Sequence, residues 1–194
     1  MKNVILPYQF KVSEEIARWS LEIYIDHNPE LGWWIAFTNP TAGPWKTISS
    51  IDTDGKIEEI YRFAREENRP DLLLVSDKRK EILIIEAKEL AQSLVVGNQM
   101  TKSIAVINDM TTMLQGLDHG SWSDRKKYKI TPGFLWYCEN EKNALDENKK
   151  VNNYYQKHNS FNLGETLNIV ILQKDNILFP VFIKDNKIKT NINL

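Results

Sequence analysis

Two short aliphatic runs, Leu72 to Val75 and Ile82 to Ile85, are each bordered by charge: Asp71 precedes the first, and Glu86-Ala87-Lys88 follows the second. The turn Asp77-Lys78-Arg79-Lys80 joins them, so the spacing predicts a hairpin with strands over 70–76 and 81–88. Alternation places Ile82, Ile84, Glu86 and Lys88 on one face of the second strand and Leu83, Ile85 and Ala87 on the other. Both faces therefore read as buried. A carboxylate and an ammonium two residues apart in such a strand cost several kcal/mol each unless they are compensated. The hairpin adds Asp71 to them, so three charges converge on one corner of a sheet. A divalent cation held by the two carboxylates, with the lysine beside them, resolves this arrangement. Oxygen ligands suit Mg²⁺, which keeps several waters and takes one or two carboxylates plus phosphate oxygens.

The rest of the chain alternates helical and strand signals. Ser13 with Glu14 and Glu15 predicts a capped helix start, and Val12, Ile16, Trp19 and Ile23 form its apolar face as far as about Asp26. A strand over 33–38, a loop over 39–44, a turn at Asp52, Asp54 and Gly55, and a helix over 56–68 follow. Helical spacing resumes from Leu90 to Leu117, with a break at Gly97. After it come a polar stretch over 118–129, a strand over 133–138, a solvated helix or loop over 139–159, and a second hairpin over 167–173 and 177–184. The expected class is α/β, or α+β, with a mixed central sheet flanked by helices in one domain over 1–194.

The charged hairpin resembles the PD-(D/E)XK nucleases, the restriction-endonuclease-like fold. Its pattern stands here as Pro70-Asp71, 14 intervening residues, and Glu86-Ala87-Lys88. In that family a helix carrying a glutamate precedes these strands, and a helix and a further strand follow. The resemblance spans about 13–138 and leaves 139–194 as accessory elements. It implies that Asp71, Glu86 and the Ala87 carbonyl bind Mg²⁺, with Mn²⁺ as a substitute. The metal would serve as Lewis acid and acidify a bound water, while Lys88 orients or helps deprotonate that water and offsets developing charge. For the upstream glutamate Glu59 is preferred, then Glu15, with Glu22 and Glu58 as rivals. The implied activity is a Mg²⁺-dependent DNA endonuclease of the restriction type, or its small catalytic subunit. Repair, recombination and transposition nucleases of the same fold are the alternatives, followed by a non-catalytic DNA- or protein-binding module.

Charge gives little help with the substrate. With 25 Lys+Arg against 26 Asp+Glu, the net charge of −1 means that any contact with double-stranded DNA must come from local patches. The densest run holds Arg125, Lys126, Lys127 and Lys129 beside Trp122, suited to phosphate contacts and groove insertion. Arg62, Arg65 and Arg69 are the second candidate, and Gln99 and Lys102 lie on the helix after the motif. The single cysteine, Cys138, fits a reducing cytoplasm, and three scattered histidines make a zinc site unlikely. The longest apolar runs are far shorter than a membrane span. Cutting both strands of a duplex calls for a homodimer or for a heterodimer with another subunit.

Overall fold

A computed structural model describes residues 12–38, 69–116 and 122–189, together with the backbone of 4–5. In chain order the elements are β1 (Val4–Ile5), α1 (Glu14–Asp26), β2 (Trp34–Thr38), β3 (Leu72–Ser76), β4 (Glu81–Leu90), α2 (Ala91–Leu94), α3 (Gln99–Gly116), α4 (Trp122–Arg125), β5 (Lys129–Cys138), α5 (Glu141–His158), β6 (Leu167–Lys174), β7 (Ile177–Lys184) and β8 (Lys187–Lys189). The helix expected over 56–68, and with it Glu58, Glu59, Arg62 and Arg65, lies outside the described residues, as do the loop over 39–44 and the turn at 52–55.

The strands form one mixed sheet in the order β1-β7-β6-β5-β4-β3-β2, with β8 also paired to β7. The charged hairpin folds as expected: β3 and β4 are antiparallel, in register from Leu72 opposite Ile85 to Ser76 opposite Glu81. β5 then lies parallel to β4, and β6 parallel to β5, so α3 and α5 are the crossovers that parallel pairing requires. The two hairpins give the sheet its antiparallel flanks.

Alternation along β4 decides which side chains meet which helix. Ile82 and Ile84 pack with Met100, Ile104 and Ile107 of α3 and with Val151 and Tyr155 of α5. Leu83, Ile85 and Ala87 pack on the opposite side with Ile16, Ala17 and Leu21 of α1. Both faces of the central strands are thus buried, as their unbroken apolar runs require. Ser13 caps α1, its hydroxyl accepting from the Ile16 N–H at 3.4 Å, and Gly97, at φ +60°, separates α2 from α3.

Two expectations need correction, and a third resolves to one of its alternatives. β5 begins at Lys129, four residues before the expected start, because Lys129, Ile130 and Thr131 pair with the first residues of β4. The polar stretch is not all loop: Trp122 opens the short helix α4 and is only 2% exposed, which removes its ring from any groove insertion. The Lys- and Asn-rich segment after β5 is a helix with one buried stripe, Ala144, Asn148, Val151 and Tyr155. Part of that stripe is polar, and Asn168 on β6 satisfies it by donating to the Asn148 carbonyl at 2.7 Å. β6 and β7 continue the same sheet beyond β5, so the accessory segment shares the core.

Candidate active site

Asp71 stands immediately before β3, opposite the stretch of β4 that carries Glu86, Ala87 and Lys88. The last rung between the two strands joins Leu72 to Ile85, so the Ala87 N–H lies beyond the ladder. It donates instead to Asp71 Oδ2 at 2.7 Å, which fixes that carboxylate against the edge of β4. Glu86 lies on the α3 side, 7% exposed, and one of its oxygens accepts from Ser103 Oγ at 3.3 Å. β4 carries an irregularity between Ala87 and Leu90, where its pairing with β5 shifts. Within it Lys88 reaches back so that its ammonium donates to the Ala87 carbonyl and lies 3.5 Å from Glu14 Oε2 on α1.

Among the described residues, Glu14 is therefore the helix glutamate that meets the corner. Glu15 is held below its ordinary range by its own backbone N–H and the Ser13 hydroxyl, so it serves the helix terminus. Glu22 accepts from the Thr38 hydroxyl at 2.7 Å and pairs with Arg18 at 3.3 Å. Glu59 falls outside the described residues.

Burial and mutual repulsion dominate the electrostatics. Desolvation, and then the Asp71 charge, push the Glu86 carboxyl well above the usual glutamate range. Asp71 is raised by burial, against the opposing pull of Lys88 and the Ala87 N–H. Glu14 is raised by burial too, with Lys88 opposing. Burial alone would lower Lys88, but Asp71, Glu86 and Glu14 outweigh it and hold the ammonium above its ordinary range. The corner thus has more negative charge than its lysine balances.

Among the described residues no group of three or more histidine, cysteine, aspartate or glutamate side chains is arranged to hold a metal. The pair Asp71 and Glu86, with the adjacent Ala87 carbonyl, still suits Mg²⁺, because that ion retains waters and completes its shell with substrate oxygens. A cation there would relieve the repulsion between these carboxyls.

The other expected residues lie apart from this corner. Gln99 and Lys102 are exposed on α3, and it is Ser103, one residue further on, that touches Glu86. Arg125 is engaged at the hairpin turn: its Nε donates to Asp77 Oδ1 at 2.7 Å, and its guanidinium lies 5.0 Å from the Trp34 ring centroid and 5.2 Å from that of Trp122. Tyr128 and Trp34 also donate to Asp77. Lys127 is exposed and Lys126 partly so, while Lys129 has a 71% exposed side chain 3.7 Å from Glu81. These cations sit at the turn end of β3 and β4, away from Asp71 and Glu86. Arg69, by contrast, is two residues from Asp71.

Comparison with family models, curated proteins and solved structures finds no match.

The raised carboxyls have a measurable consequence for the metal-free protein. Between the ordinary glutamate value of 4.5 and the raised folded value, the native chain holds a proton that the unfolded chain has lost. Stability therefore falls as pH rises through that window, so the buried Glu86 carboxyl is a burden at neutral pH. Glu86→Gln should raise Tm in chelator at neutral pH, by about 2 to 4 °C for each kcal/mol gained, and should flatten the decline with pH. Calorimetry from pH 5 to 8 checks this, and a lower Tm for the variant at neutral pH would contradict it.

Proposed function

We propose that the chain is a divalent-cation-dependent DNA endonuclease of the restriction type, centred on Asp71, Glu86 and Lys88. Glu14 on α1 is the helix glutamate beside them among the described residues, and Glu59 lies outside those residues. The observation that carries this reading is the convergence of the two carboxylates and the lysine on one buried corner, from strands adjacent in the sheet. The element order supports it as well: a helix bearing a glutamate precedes the hairpin, and a helix and a further strand, here parallel to β4, follow it, in the order the resemblance implies.

Asp71, Glu86 and the Ala87 carbonyl would hold the cation, Mg²⁺ or Mn²⁺. When bound, it supplies positive charge at the scissile phosphate and acidifies a water. Lys88 enters the reaction as an ammonium, because three carboxylates hold its proton. It therefore acts as a donor that orients the attacking water and offsets charge growing on the phosphate oxygens, rather than as the base. Glu14 sets the position of that ammonium, and Ser103 does the same for Glu86. Double-stranded DNA is the proposed substrate. The described residues contain one such corner, so cutting both strands calls for a second copy of the chain or another catalytic subunit.

Incubating the purified chain with mixed plasmid and phage DNA tests the reading. Discrete nicks or fragments are expected with Mg²⁺ or Mn²⁺ and none in chelator. Intact DNA under every divalent cation tried would favour a non-catalytic DNA- or protein-binding module instead.

A further inference from the structure

A cavity lies on the α3 side of the sheet, away from the acidic corner. Asn108 and Gln115 of α3, with Phe161 and Asn162 of the loop between α5 and β6, line a space of about 350 Å³ together with Ile130 and Pro132 of β5. Asn108 and Gln115 stand five and twelve residues beyond Ser103, about 7.5 and 18 Å along the helix.

We propose that this cavity binds a nucleobase. Charge sets the first limit. Among the described residues no lysine, arginine, aspartate or glutamate lines the space, so nothing there selects a phosphate, a carboxylate or a metal ion. Size sets the second. Small-molecule sites run from about 300 to 1,000 Å³, so the space suits a base with its sugar.

The lining supplies a face and an edge. Phe161 is 47% exposed and makes no ring contact among the described residues. Its loop is tied down: Asn159 accepts from the Leu163 N–H at 3.2 Å and donates to the Tyr155 hydroxyl at 2.9 Å, and that hydroxyl donates to the Gly164 carbonyl at 2.9 Å. Tyr155 is itself fully buried, so the segment that carries Phe161 is anchored to the core. The side-chain amides of Asn108, Gln115 and Asn162 form no hydrogen bond with a described residue, and each offers both donors and an acceptor. A purely apolar ligand would strand these amides, and a small polar one would leave the phenyl ring in water. A flat heteroaromatic ring covers Phe161 with its face and meets the amides with its edge, which is the chemistry of a nucleobase. Asn and Gln pair with adenine through two hydrogen bonds, so adenine suits this set best. The same chemistry is offered by a free nucleotide and by an unstacked base of a nucleic-acid strand.

This binding does not depend on the nuclease reading, and the test keeps the two apart. AMP is titrated into the full chain in chelator while the side-chain amide resonances of Gln115 and Asn162, assigned with Gln115→Ala and Asn162→Gly, are followed by NMR. Both should shift saturably with a Kd of about 1 mM or tighter, while ribose 5-phosphate, which lacks the base, should leave them fixed. Phe161→Ala, a change at an exposed position, should weaken binding at least tenfold, Phe161→Tyr should keep it, and Asp71→Asn should leave it unaltered. Competition by a short oligoadenylate would assign the site to a base of a strand, and AMP binding unaffected by it would assign the site to a free nucleotide. Resonances that stay fixed at about 20 mM AMP, a concentration well above such a Kd, overturn the proposal. So does an equal response to ribose 5-phosphate, or parent affinity in Phe161→Ala.

Discussion

Asp71→Ala and Glu86→Ala should each lower Mg²⁺-dependent DNA cleavage by about 10³-fold or more while the chain stays folded. Both carboxylates are nearly buried, and each accepts a hydrogen bond, Asp71 from the Ala87 N–H and Glu86 from the Ser103 hydroxyl. Removing either one relieves repulsion within a cluster that holds more carboxylates than cations, so stability in chelator should hold or rise. Loss of activity together with retained Tm is the signature. Asp71→Asn and Glu86→Gln, which keep the shape and remove the charge, should lose activity to a similar degree. Parent-level cleavage in any of the four would remove that carboxylate from the mechanism.

Lys88→Ala should lose about 10²- to 10³-fold in the rate of the bound complex and keep most of its affinity for DNA. The ammonium lies 3.5 Å from Glu14 Oε2, and so it is already placed before substrate arrives. A preplaced donor of this kind acts on charge that appears in the transition state. The variant also has an opposite effect on stability from Glu86→Gln. Taking away the ammonium that opposes burial at Asp71, Glu86 and Glu14 leaves three raised carboxyls less compensated, so Tm in chelator should fall at neutral pH and recover as pH is lowered. Single-turnover rates and binding isotherms separate the two effects. Normal cleavage by Lys88→Ala would mean that the hairpin is not the reacting centre.

The site strands were legible because their signal is local. An apolar run with both faces buried tolerates charge only where something compensates it, and Asp71, Glu86 and Lys88 stand out for that reason. The cap at Ser13 and the break at Gly97 were legible on similar local grounds. What escaped depends on tertiary placement. Glu14 and Glu15 are both first-turn acids that suit a helix terminus, and only the packing of α1 over β4 decides which one reaches Lys88. Nothing local in the sequence singles out Ser103 beside Met100, Ile104 and Ile107, although it supplies the hydrogen bond to Glu86. Arg125 read as part of a cationic surface because its partner, Asp77, lies 48 residues away in the chain. The early start of β5 was hidden by Pro132, a residue that argues against a central strand, yet here it pairs with Ile84.

The most direct test of the central claim is to locate the metal. Crystals grown with a short duplex and Mn²⁺, measured for anomalous scattering at the manganese edge, should show a peak at about 2.0 to 2.6 Å from carboxylate oxygens of both Asp71 and Glu86, with a DNA phosphate completing the shell. A crystal containing bound duplex with no peak at that corner, or with manganese held only elsewhere, would contradict the account.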